Sequence, residues 1–252
     1  MKKGILWILL PIVLPVSLFL AWWISSANAD SIFFPPLQII LDRFQELWLF
    51  ALFGEHVIPS LLALGVGLSL SIVIGVSGGV ILGLNQQIVS ALDPVLQFFR
   101  YLPAVALLPL AIQLIGIGMD MRIAIIVFGA LWPVLLNTIE GVRSVHPSLV
   151  DVAKSYQIRM RDWIFRMVLP SAAPQIFAGI RACLAVAVIL MFASELMGSS
   201  RGIGYFILEA QRQFAMPEMW SGMILLGIVG YLLNVALMVI ERRALSWHQK
   251  TR

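Results

Sequence analysis

Cysteine, histidine and charge are all scarce in this chain. Its 252 residues include one Cys and three His, and only 12% are Asp, Glu, Lys or Arg. The single thiol, Cys183, excludes an intramolecular disulfide and offers no metal cluster. His56, His146 and His248 are scattered near the ends of apolar runs and read as interfacial residues, not ligands. No G-x-x-x-x-G-K-[ST] run and no H-E-x-x-H run occurs, so the chain has neither a P-loop nor that zinc motif. Low-complexity tracts and a clear internal repeat are also missing. The sequence therefore reads as a non-enzyme, with no catalytic residue, metal-binding residue or cofactor in this chain.

What remains is apolar. Hydrophobic residues make up 60% of the chain, mean hydropathy is +0.95, and there are eight Trp. That composition belongs to membrane proteins. A soluble fold of this size has too little interior to hide so much apolar surface. The net charge of +4 raises the question of nucleic acid. Membrane proteins, however, concentrate Lys and Arg on the cytoplasmic side, and that reading is preferred here.

A helical span needs about 20 mostly apolar residues. Six stretches qualify: about 4–24, 58–84, 101–118, 122–139, 175–196 and 220–240. The first has two readings. Lys2, Lys3 and an A-x-A-like Ala27-Asn28-Ala29 suit a cleaved signal peptide. The apolar stretch Gly4–Ile24 is 21 residues long and ends in Trp22-Trp23, which favours an uncleaved span with an interfacial aromatic belt. The third and fourth spans are separated by the Gly-rich "GIGMDM" and are expected to form a helical hairpin.

Orientation follows the cations. With the N-terminus inside, 13 of the 17 Lys and Arg fall on the inner side, and Arg43, Arg122, Arg201 and Arg212 fall outside. Six spans with both termini cytoplasmic fit this bias. The whole chain, 1–252, then reads as one transmembrane domain. Gly75, Gly79 and Gly83, spaced four apart in the second span, predict close helix packing in a bundle. Residues 25–57 lie outside. Within them Leu37, Ile40, Leu41, Phe44 and Leu47 recur at helical spacing, predicting a short helix on the membrane surface with a structural role.

Ionisable groups within spans are functional candidates by default. Arg181 and Glu195 qualify, in the fifth span. They are 14 residues apart, about 21 Å along a helix, and fall within ~40° of one face. With Pro103 and Gln113 of the third span they are the candidates for a translocation path. Snorkelling of both charges to opposite interfaces is the alternative. No mid-membrane acidic relay is present, which argues against a proton-driven transporter.

One inner segment, about 140–174, interrupts the apolar pattern. Its centre, "DVAKSYQIRMRDWIFRMVLP" (151–170), carries Lys154, Arg159, Arg161 and Arg166. Two short helices are expected. Asp151 is placed in the first turn of one, where it suits the helix dipole. Asp162 and Arg166 make an i,i+4 pair on the other, beside an apolar stripe of Trp163, Ile164, Met167 and Val168. Leu169-Pro170 is expected to end that helix, because a residue preceding Pro leaves the α region. The alternative is a helix adhering to anionic lipid through its arginines.

This segment resembles the EAA loop of ATP-binding-cassette (ABC) importer permeases, E-A-A-x3-G-x9-I-x-L-P. Asp151-Val152-Ala153 stand at E-A-A, Gln157 at the Gly, Met167 at the Ile and Leu169-Pro170 at L-P. With Gln at the Gly position, a positive-φ turn would have to be built differently. The stretches 92–118, "RGIGYFILEAQ" (201–211) and "ERRALSW" (241–247) are similar to the nitrate/sulfonate/taurine/bicarbonate branch. The resemblance implies an all-α, type I importer permease fold in a bacterial cytoplasmic membrane, with a permease dimer and a periplasmic or lipid-anchored solute-binding protein. It also implies a separate ABC ATPase that holds ATP and Mg. Asp151, Ala153, Lys154 and Gln157 would then meet the ATPase. Arg159 and Arg161 would add rim charge, and Leu169 and Pro170 would set the angle into the fifth span. A channel or secondary transporter acting alone, and a non-conducting scaffold, are the rival functions. Neither nucleic acid nor a particular solute is indicated.

Overall fold

A computed structural model describes residues 2–26 and 31–246. The A-x-A-like residues 27–29 and the C-terminal 247–252, with His248, Lys250 and Arg252, lie outside the described residues. Among the described residues the chain is all helix and turn, without a strand. In order these are α1 (Lys2–Ser26), α2 (Leu37–Glu46), α3 (Ile58–Gly83), α4 (Gln86–Tyr101), α5 (Leu108–Ile115) and α6 (Met119–Arg143). There follow α7 (Pro147–Ser155), α8 (Met160–Trp163), α9 (Leu169–Gly198), α10 (Ile203–Arg212) and α11 (Met216–Ala244).

Four helical stretches among the described residues are long and apolar enough to cross a bilayer: Phe53–Gly83, Met119–Arg143, Met160–Gly198 and Met216–Ala244. They cover the expected second, fourth, fifth and sixth spans. A continuous third span is not what forms. The stretch breaks into α4, a 3-10 turn at Ala104–Leu107 and α5, and the two arms meet at 76°. Leu102 and Pro103 are both extended (ψ 118° and 108°), because Pro103 excludes its predecessor from the α region and donates no N–H. Counting this bent pair as one crossing gives five. Helix α1, 25 residues long, covers the expected first span.

Helix α6 is the centre of the bundle, packed between α3 and α9. The small-residue reading of α3 explains the first contact. A Cβ on Gly75 would lie 2.8 Å from Val134 Cβ, on Gly79 2.5 Å from Thr138 Cβ, and on Gly83 2.8 Å from Val142 Cβ. Both sets step by four residues, so the i±4 ridges of the two helices interlock at backbone distance. On α9, Ala172, Gly179, Cys183 and Ala187 are all buried, and a Cβ on Gly179 would meet Pro133 O at 2.9 Å.

The segment between α1 and α3 folds onto the rest of the protein. In α2, Leu37 and Ile40 are fully buried. Trp48 donates its indole N–H to Ser221 Oγ at 3.1 Å, and Arg43 pairs with Glu218 at 3.4 Å. The amphipathic face predicted for a membrane surface is thus largely consumed by α11, consistent with a structural role.

Candidate functional site: an exposed charged segment and a buried polar node

Helix α7 starts earlier than expected. His146 caps it, its ring nitrogen accepting from Ser148 N–H at 3.3 Å, and Pro147 occupies the first turn. Asp151 is therefore not in the first turn but in mid-helix, beyond the reach of the N-terminal dipole. The helix ends in a Schellman motif. Ile158 N–H bonds to Ala153 O at 2.9 Å and Gln157 N–H to Lys154 O at 3.1 Å, with Gln157 at φ +47°. The expectation that Gln would force a different turn is corrected: Gln157 adopts the left-handed conformation itself. An αL side chain costs roughly 1–2 kcal/mol, which the two cap hydrogen bonds offset. Gln157→Gly is accordingly expected to raise thermal stability by up to about 1 kcal/mol, seen as slower amide exchange at Ile158. Faster exchange there would contradict this account.

Leu169-Pro170 does not end the second helix. Residues Met160–Gly198 run as one helix of 39 residues. A π-turn at Ile164–Val168 widens the ladder just before Pro170, so the missing N–H and the ring are accommodated and the helix continues. The Asp162–Arg166 pair forms at 3.3 Å. Trp163, Ile164 and buried Val168 pack into the main core together with Val142 and Val145. The segment is thus rooted at both ends in the central helices.

Its other face is open. Asp151, Lys154, Gln157, Arg159 and Arg161 are exposed, Ala153, Leu169 and Pro170 half-buried. The exposed apolar residues Val152, Tyr156 and Met160 stand among them, with Tyr156 at 79% exposure. Ala153, Lys154 and Gln157 share a cavity of about 410 Å³ with Ile158 and Trp163.

The second constellation centres on Glu195, which is 0% exposed near the end of α9. Arg122 Nη1 donates to its Oε1 at 3.1 Å, and Ser60 Oγ donates to the same oxygen at 2.6 Å. Oε2 accepts from Gly204 N–H at 2.8 Å. Ser60 Oγ also accepts from Ile203 N–H at 3.0 Å, and His56 Nδ1 from Gly202 N–H at 3.2 Å. One carboxylate therefore joins α3, α6 and α9 to the turn that starts α10. Gly202 (φ +131°) is required there: a Cβ would lie 2.4 Å from the Glu195 carboxyl carbon.

Arg181 sits elsewhere, half-exposed and paired with Glu241 of α11 at 3.1 Å. Pro103 lies at the 76° break, and Gln113 is exposed on α5. The structure thus brings Glu195 to Arg122, not to Arg181. The sequence alone places Arg122 among the outside charges, at the first residue of the fourth span. Helix α6 starts at Met119, which puts Arg122 one turn inside. His56 and Ser60 carried no signal: an apolar-run Ser and an end-of-span His are common.

The architecture is a helical membrane domain with an exposed charged segment between two central helices. The chain belongs to the family described as binding-protein-dependent transport system inner membrane component, which matches residues 67–244. It is 34% identical over 212 residues to a permease protein named for aliphatic sulfonates transport, SsuC of Bacillus subtilis, covering 84% of this chain and 76% of that protein. It is 30% identical over 254 residues to the bicarbonate transport system permease protein CmpB of Synechococcus elongatus, covering 96% and 88%. Among solved structures, a chain of the inward-facing MetNI methionine ABC transporter superposes with a TM-score of 0.64 at 20% identity, over 75% of this chain and 94% of that one.

Proposed function

We propose that this chain is the permease subunit of an ABC importer for a small anion. The solute is delivered by an extracytoplasmic binding protein, periplasmic or lipid-anchored, and a separate ATPase drives the cycle. The family is defined by binding-protein-dependent transport, and the relatives are named for sulfonates and bicarbonate. The observation that carries the reading is the exposed segment Asp151–Pro170, rooted in α6 and α9. A chain without a P-loop must receive work from another subunit. A short helix joined stiffly to two central helices can pass a partner's closure into the bundle as a rigid-body motion.

In this reading Asp151, Ala153, Lys154 and Gln157 meet the ATPase, with Arg159 and Arg161 at the rim. ATP and Mg stay on the ATPase. The exposed apolar faces of α4 and α5, with Val95, Phe98, Leu110 and Leu114, are covered by a second permease and by lipid. Both termini lie in the cytoplasm, as the 13-to-4 division of Lys and Arg favours.

Tagged full-length chain purified from its native membrane is expected to carry an ATPase subunit. ATP-driven uptake in vesicles should require both that subunit and the binding protein. Reporters inserted near Arg143 should read cytoplasmic, and near Asp30 periplasmic. Uptake that persists without any ATPase would overturn the proposal in favour of a self-sufficient transporter.

A further inference from the structure

We infer that His56 is an acid-sensitive latch on the start of α10: its unprotonated Nδ1 holds the turn 199–204 closed, and protonation of the ring releases that turn. His56 lies in the π-turn Phe53–Val57 that leads into α3. The start of α10 depends on such outside help. Gly202, which precedes the helix, has no side chain to cap it, and Ser199 Oγ accepts only the earlier N–H of Arg201, at 3.1 Å. Three successive backbone N–H groups, those of Gly202, Ile203 and Gly204, are instead satisfied from other elements. Their acceptors are His56 Nδ1 at 3.2 Å, Ser60 Oγ at 3.0 Å and Glu195 Oε2 at 2.8 Å, all in buried surroundings. The first turn of a helix leaves its N–H groups without intrahelical partners, and a buried donor that loses its acceptor is costly.

Of the three acceptors, the imidazole is the one that changes character in the ordinary pH range. A neutral His ring has one accepting nitrogen, whereas the protonated ring has two donors and no acceptor. A proton taken up at Nδ1 during a transient opening of the turn would face the Gly202 N–H on closure, donor against donor. The open turn therefore binds a proton that the closed turn cannot. By linkage, closure is favoured above the imidazole range and is lost as the pH falls through it.

The surroundings transmit the change to α10. Tyr205 stacks on the His56 ring at 6.2 Å and 26°, and Phe206 is tilted against it at 5.5 Å. Glu55, next in the chain, favours a charged ring, and Arg201 on the turn opposes it. Glu195 and Arg122 are linked to His56 through Ser60, whose Oγ lies 3.0 Å from His56 O. Leu47–Ala51, also packed against this turn, carries no charge. Release does not unfold α10, because Ile203 and Ile207 remain in an apolar cluster with Trp48, Val57 and Leu225. The result is a local opening between the end of α9 and the body of α10. By the division of Lys and Arg this end of the bundle faces outward, so the latch answers to extracytoplasmic acidity. That placement rests on the importer reading; the latch itself does not.

Amide hydrogen exchange on full-length chain in lipid nanodiscs tests this at about pH 7.5 and about pH 5.5, either side of the ordinary imidazole value of about 6.5. Each rate is divided by the intrinsic exchange rate at that pH to give a protection factor. In the wild type, residues 202–204 are expected to lose about tenfold in protection at the lower pH, the effect of one proton over about one pH unit. His56→Asn offers Oδ1 as an acceptor that does not titrate, and should lose less than about twofold. His146→Asn, at the remote cap of α7, should respond as the wild type does. Constant protection in the wild type, or an equal loss in His56→Asn, would overturn the inference. Should His56→Asn fail to fold, nitrogen NMR of labelled histidine in the wild type decides. An unprotonated His56 Nδ1 at the higher pH, gaining its proton as protection is lost, is the expected result; a protonated Nδ1 at the higher pH sinks the latch. If uptake proves to need no ATPase while wild-type protection falls as expected, the importer reading fails and the latch stands. If uptake needs the ATPase and protection stays constant, the latch fails alone.

Discussion

Glu195→Leu is expected to destabilise the folded chain by about 3–5 kcal/mol, the usual cost of leaving one member of a buried ion pair behind. The cost falls on what remains. Arg122, itself 5% exposed, would keep a buried charge whose carboxylate partner is gone. Its Nε already lacks a partner, and its other contacts, Met119 Sδ at 3.4 Å and Arg201 O at 3.5 Å, are weak. Gly204 N–H would also be orphaned. At 1.4 kcal/mol per factor of ten, the folded fraction drops more than a hundredfold relative to the unfolded one. The double variant Glu195→Leu/Arg122→Met removes both charges at similar volume and should recover most of the loss. Mixed-micelle denaturation midpoints would measure this. Protease cutting within residues 199–204 would report whether α10 has come loose. A single variant within 1 kcal/mol of wild type would mean that the pair carries no net weight in the fold.

Asp151→Lys is expected to abolish stable ATPase association while leaving the fold intact. Asp151 is exposed in the middle of α7, so reversing its charge costs the helix little. Against a partner with complementary charge, the change replaces an attraction by a like-charge contact worth several kcal/mol. A loss of 4 kcal/mol, for example, is roughly a thousandfold in affinity. The neighbouring anchor is Tyr156, and a Tyr so exposed on a docking face is a natural hot spot. Tyr156→Ala should weaken the same association at least tenfold. Asp42→Lys, on α2, is the matched control and should not affect ATPase binding. Thermal midpoints equal to wild type, together with loss of the ATPase and of substrate-stimulated hydrolysis, form the expected result. Retention of full ATPase binding in both Asp151→Lys and Tyr156→Ala would return this segment to the lipid-adhesion alternative.

Much of the membrane architecture was legible because its signals are local or compositional. Apolar run length identified the crossings at α3, α6, α9 and α11. The spacing of Gly75, Gly79 and Gly83 anticipated a close helix contact in α3, which the structure makes with α6, since only a residue without Cβ permits that approach. The Asp162–Arg166 pair follows from helical periodicity alone. Family resemblance pointed to the charged segment, from Asp151 to Leu169-Pro170.

What the sequence by itself determined is therefore an all-helical membrane chain and the place of its charged interruption. Each depends on burial length, period or charge count, and none requires knowing which helix lies beside which. Only the tertiary structure decided the rest. Whether a proline ends a helix depends on neighbours: Pro103 breaks one at 76°, whereas Pro170 is absorbed by a π-turn braced on the core through Val168. Whether Gln157 takes φ +47° depends on the two cap hydrogen bonds that hold it there. The partner of Glu195 is Arg122, 73 residues away in sequence, because the packing of α6 on α9 brings the start of one beside the end of the other. A buried carboxylate must be satisfied by whatever the fold places within hydrogen-bond reach, and that is a property of three-dimensional packing which no local pattern encodes.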